Sequence, residues 1–100
     1  MTIADWRTEI DKLDNELLRL LNMRARIAIK VAALKKAAAL PLNDKDREQE
    51  VLEHVRQGNT GPLDERNVSR LFRRIIRESR RAQMRALQED APALAHEVIR

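Results

Sequence analysis

The sequence predicts an all-α chain of three helices, the first of them very long. Apolar residues recur at Trp6, Ile10, Leu13, Leu17, Leu20, Ile27, Val31, Leu34 and Ala38 in steps of three and four, the seam of an amphipathic helix with a single polar interruption at Arg24. Gly occurs twice and Pro three times in 100 residues, and aromatics make up 2%, so nearly the whole chain can be helical.

Helix one is expected from about Ala4 to Ala39, with Pro41 and Asn43 ending it. Helix two starts at an N-cap supplied by Asn43 or Asp44, turns Val51, Leu52 and Val55 inward, and stops at Gly58. The linker GNTGP follows. Helix three is capped by Asp64, with Leu63 and Val68 spaced as a hydrophobic staple, and carries Leu71, Phe72, Ile75 and Ile76 on to about Gln88. After Pro92 the tail APALAHEVIR reads as a short helix or a frayed end. The whole is read as a single domain over residues 1–100, with a core of about 4–88 and a tail of 89–100.

Length has a consequence for assembly. A first helix of about 35 residues is roughly 50 Å long, beyond the ~30 Å width of a compact domain of this size. Its far half has nothing to pack on within the chain. An intertwined homodimer with antiparallel long helices buries both seams, whereas the alternative is a shorter, broken first helix in a monomeric bundle.

Composition excludes several classes. The chain is 43% hydrophobic and 36% charged, which is globular. It has no apolar run long enough for a membrane span, and MTIADWRTEI lacks a secretory pattern, so a cytoplasmic location is the default expectation. Cysteine is absent, which excludes disulfides and Cys-based metal sites, and His54 and His96 lie far apart without patterned partners, so no metal is expected. The net charge of +4 and the eight arginines between Arg66 and Arg85 suit an anionic partner, either nucleic acid phosphates or a small anion drawn to a site.

The polar residues on apolar stripes are the informative ones. Lys35 follows Arg24 by three turns, within about 20° of the same face. Glu48 precedes Val51, Leu52 and Val55, with Asp44 one turn earlier, and Ser79 and Gln83 continue the stripe of Val68, Phe72, Ile75 and Ile76. Each has an ordinary reading: Lys35 snorkelling, Ser79 bonding its own backbone, Gln83 where the stripe ends, Asp44 as a cap, Glu48 paired with Arg47 or Arg24. Together they place two cations, a carboxylate, a hydroxyl and an amide toward one bundle interior, a common location for a binding site. No nucleophile with a base, phosphate-binding glycine loop or metal cluster is present, and Arg with Lys suits carboxylates. An enzyme of this kind acts by position and charge.

The runs WRTEIDKLDNELLRLLNMRARIAIKVAALKK, PLNDKDREQEVL, GPLD and LFRRIIRESRRAQ resemble the all-α (AroQ) chorismate mutases over about residues 6 to 83. The resemblance implies an intertwined dimer of three-helix chains, without cofactor, that converts chorismate to prephenate in phenylalanine and tyrosine biosynthesis. It assigns Arg7 to the partner's site across the dimer, in keeping with a separation of about 42 Å from Lys35 along a straight helix. It assigns Arg24 to a substrate carboxylate and Lys35 to a carboxylate and the ether oxygen. Asp44, Arg47 and Glu48 fall at the ring hydroxyl and its surroundings, Ser79 near a carboxylate, and Gln83 on the ether oxygen. Conformer trapping and charge stabilisation are the implied means of catalysis, with Lys35, Gln83, Arg24 and Glu48 as its agents. Isochorismate pyruvate-lyase, of the same fold, is the nearest alternative; a nucleic-acid-binding dimer is disfavoured because the third-helix arginines lack interleaved base-reading residues, and a purely structural dimer leaves Arg24 and Lys35 unexplained.

Overall fold

Thr2 begins the first helix with a reciprocal cap. Its hydroxyl accepts from Asp5 N at 3.1 Å while its own N–H donates to Asp5 Oδ2 at 2.8 Å. The computed structural model describes the backbone of residues 1–99 and the side chains of residues 1–89. From this cap α1 (Ile3–Ala37) runs unbroken for 35 residues, through Arg24, so the broken-helix alternative does not hold.

The end of α1 falls two residues before the expected Ala39, for a local reason. Ala39 adopts φ 57°, Leu40 N donates to Lys35 O at 2.8 Å, and Ala39 N donates to Lys36 O at 3.1 Å. This is a Schellman closure, ahead of Pro41, with alanine at the position that glycine usually fills.

Of the two expected caps, α2 (Lys45–Gly58) uses Asp44, whose Oδ1 accepts from Arg47 N at 3.0 Å. Beyond Gly58 the chain turns at Gly61, whose φ of 84° requires a residue without Cβ. Asn59 braces that turn, accepting from Gly61 N at 3.1 Å and donating to Leu63 O at 2.9 Å.

Asp64 opens α3 (Glu65–Ile99), accepting from Asn67 N at 2.9 Å through its side chain and from Val68 N at 3.0 Å through its carbonyl. The expected staple is half-formed: Val68 is 8% exposed but Leu63 is 64% exposed. The helix also passes Gln88, where the sequence reading ended it. Pro92 removes one N–H from the ladder, and its neighbours Ala91, Ala93, Leu94 and Ala95 are strong helix formers. His96 lies outside the residues whose side chains are described.

Among the described residues, α3 packs on both α1 and α2 and so holds the three helices together. Among the described residues only Ala32 and Val68 are buried, while Trp6, Ile10, Leu13 and Leu17 are each more than half exposed. The accessible surface is 8474 Å², against about 5,800 Å² expected for a folded monomer of this mass. The radius of gyration is 17.9 Å, against about 13 Å for a compact domain of this length. One chain leaves most of its seam uncovered.

Candidate active site

Where the second half of α1 meets the start of α2 and the middle of α3, the side chains enclose a cavity of about 250 Å³. The periodicity of each helix decides what enters it. α1 contributes Arg24, Ile27, Ala28, Val31 and Lys35 from its seam; α2 and its cap contribute Asp44, Arg47, Glu48 and Val51; α3 contributes Ile76, Ser79, Arg80 and Gln83. Every expected site residue but one therefore shares a single cavity. The exception is Arg7, which is exposed five turns N-terminal to Arg24 and does not line it.

Arg24 sits deepest in function. Its Nη1 donates to Ser79 Oγ at 2.8 Å, so Ser79 turns into the site rather than back onto its own helix. Burial first, then the positive charge of Arg47, lower the Arg24 pKa from its ordinary value. The guanidinium is thus a cation short of negative charge, suited to an anion entering the cavity.

Lys35 is held from above by the α1–α2 connection. Its Nζ donates to Leu42 O at 3.4 Å and lies 4.0 Å from Asp44 Oδ2, with 23% of the side chain exposed. It does not snorkel to solvent. Asp44 is both the cap of α2 and the Lys35 counter-ion, so its two readings coexist. Gln83 Nε2 donates to Ala28 O at 2.7 Å, which points the amide nitrogen at α1 and leaves its second N–H for a ligand.

Glu48 pairs with neither Arg47 nor Arg24. Its Oε1 accepts from Arg80 Nη2 at 2.7 Å, and Arg47 instead pairs with Glu50 at 3.2 Å near the surface. Arg80 is the site residue that the sequence reading passed over, although it stands four residues after Ile76 and three before Gln83 on the inward stripe. Among the described residues no group of side chains is arranged to hold a metal ion, and no helix is long and apolar enough to cross a membrane.

Four cations and two carboxylates around an apolar floor, with a hydroxyl and an amide in reach, define an all-α protein with a polar, cation-rich cavity in its helical bundle, a lining suited to a small anion. The chain belongs to the chorismate mutase type II family, which matches residues 6–84; chorismate mutases are isomerases. It is 30% identical over 88 residues to a chorismate mutase of Methanocaldococcus jannaschii, covering 87% of this chain and 89% of that one. It is 44% identical over 75 residues to a bifunctional chorismate mutase/prephenate dehydratase of Pseudomonas aeruginosa, covering 70% of this chain but spanning only 20% of that protein's length. A Helicobacter pylori chorismate mutase in complex with prephenate superposes with a TM-score of 0.80 at 36% identity, over 87% of this chain and 94% of that one.

Proposed function

We propose that this chain, as a single mutase domain, catalyses the rearrangement of chorismate to prephenate within a homodimer whose Arg7 side chains each complete the partner's site. The observation that carries the reading is the convergence of Arg24, Lys35, Arg47, Glu48, Ser79 and Gln83 on one cavity, in a chain of this family.

The reaction is unimolecular: a C–O bond breaks while a C–C bond forms, with no proton transfer and no covalent intermediate. Arg24, Arg47 and Arg7 of the other protomer hold the two carboxylates, fixing the compact conformer and lowering the entropic barrier. Ser79 orients Arg24. Lys35 and Gln83 donate to the ether oxygen as negative charge grows there, an effect of ~3 to 4 kcal/mol for a well-placed donor. Glu48 accepts from the ring hydroxyl, and Asp44 holds Lys35 in place.

Support for the dimer comes from the uncovered seam and from distance. Arg7 stands about 25 Å along α1 from Arg24, so it cannot reach the cavity of its own chain. Exposed Trp6, Ile10, Leu13 and Leu17 flank it and need a cover, which a second α1 provides.

The test is to incubate the purified protein separately with chorismate and with isochorismate and to identify the products by chromatography. Prephenate from chorismate, with little salicylate from isochorismate, is expected. Salicylate with pyruvate would assign the same cavity to the lyase reaction, and turnover of neither would overturn the proposal.

A further inference from the structure

The geometry points to Arg80 as a positioning residue for the ring-hydroxyl end of the substrate, acting through Glu48; the inference rests on the mutase reading above. Arg80 Nη2 donates to Glu48 Oε1 at 2.7 Å, and Nη1 donates to Asn43 Oδ1. These contacts join residues 32 and 37 positions apart in sequence. One guanidinium on α3 therefore clamps both ends of the segment that carries Asp44 and Glu48. Lysine, a point charge, lacks the fork that makes two such contacts at once.

The clamp decides which Glu48 oxygen is available. Arg80 occupies Oε1, and Oε2 has no hydrogen-bond partner among the described residues, so it is the acceptor left for a substrate hydroxyl. Glu48 also lies in a cavity with Arg24, Lys35 and Arg47, to any of which a free carboxylate would be drawn. A Glu48 that collapsed onto Arg24 or Lys35 would occupy a cation needed for a substrate carboxylate. Arg80 prevents this by holding Glu48 through its Oε1.

Its own placement is specific to this task. The side chain is 34% exposed, Glu48 is 33% exposed, and Arg80 Nε is buried without a hydrogen-bond partner, a cost that a merely solubilising arginine would not bear. Arg80 also stands in the wall between the main cavity and a second hollow of about 270 Å³ lined by Gln49, Leu52, Arg73 and Arg77. It thus closes the hydroxyl end of the site.

The experiment measures kcat and KM for the wild-type protein, Arg80→Gln, Arg80→Lys, Glu48→Gln and the Arg80→Gln/Glu48→Gln double variant. Each is assayed with chorismate and with a chorismate analogue that lacks the ring hydroxyl, after its fold is checked by circular dichroism. With chorismate, Arg80→Gln should lower kcat/KM on the order of tenfold to a hundredfold, the scale of a misplaced positioning group. Arg80→Lys should recover part of the loss, and the double variant should be no worse than Glu48→Gln alone. With the analogue, the Arg80→Gln penalty should nearly vanish. Equal penalties on both substrates, or additive effects in the double variant, would overturn the role by making Arg80 a general structural brace. A wild-type protein that turns over neither compound would overturn the mutase reading and this role with it.

Discussion

Arg24 on α1 and Ser79 on α3, 55 residues apart in sequence, meet through a 2.8 Å hydrogen bond inside the cavity. The bond fixes a guanidinium whose pKa is lowered by burial and by Arg47. A cation kept in an unfavourable setting fits the proposed ligand-binding role of Arg24 better than a role in stability.

Arg24→Leu should therefore separate the two properties. Removing the donor should cut kcat/KM for chorismate about a hundredfold or more, the scale of one lost donor to a developing or bound anion. The thermal midpoint should hold or rise, because an apolar side chain, though a shorter one, replaces a desolvated charge. A calorimetric scan beside the kinetic assay checks both. A large fall in stability would mean that Arg24 is structural.

The pH response follows from the same groups. Burial and Arg47 lower the Arg24 value, yet arginine keeps its charge throughout the range in which a protein is assayed. The cation is therefore present across that range, and Gln83 donates as a neutral amide. Activity should thus be level from mildly acidic to mildly alkaline conditions. Gln83→Glu should abolish this: the carboxyl can donate only while protonated, so its activity should survive at acid pH and fall as pH rises. Parallel pH–rate profiles of the two proteins distinguish the cases, and a wild-type profile that drops steeply near neutrality would exclude the amide as the donor.

Much of the fold was legible because its signals are local. The 3–4 spacing set the unbroken course of α1, and Asp44 and Asp64 marked two helix starts. Arg24, Lys35, Ser79 and Gln83 could be found because each is polar on an otherwise apolar stripe. Arg80 was obscured by its neighbours: it shares the inward spacing of Ile76 and Gln83, but on paper it is one of eight arginines, and its partners Asn43 and Glu48 come from a distant segment. The closure at Ala39 was equally hidden, since alanine gives no sign of a left-handed conformation.

That closure supports a stability prediction. Ala39 at φ 57° carries a Cβ in the left-handed region, where glycine is free of the roughly 1 to 2 kcal/mol penalty of an L-residue. Ala39→Gly should raise the unfolding free energy by about 1 kcal/mol, after allowance for the greater freedom of glycine in the unfolded chain. Lys35 O and Lys36 O accept the closing bonds in either case, so catalysis should be nearly unaffected. Urea denaturation of both proteins at one protomer concentration tests this, and a lowered midpoint would refute it.

The proposed sharing of Arg7 across a dimer makes the most demanding prediction. Arg7→Ala and Lys35→Ala should each leave a nearly inactive protein, because every site in either homodimer lacks one cation. In a mixed dimer the two lesions fall together in one site, and the other site receives Lys35 from one chain and Arg7 from its partner. Random exchange of equal amounts makes half the dimers mixed, so about a quarter of all sites, and hence about a quarter of wild-type activity, should return. Recovery should follow the rate of subunit exchange, slowly, since a long apolar seam must part before chains can re-pair. Mixtures whose activity stays at the sum of their parents after proven exchange would mean that Arg7 serves no site but its own surface.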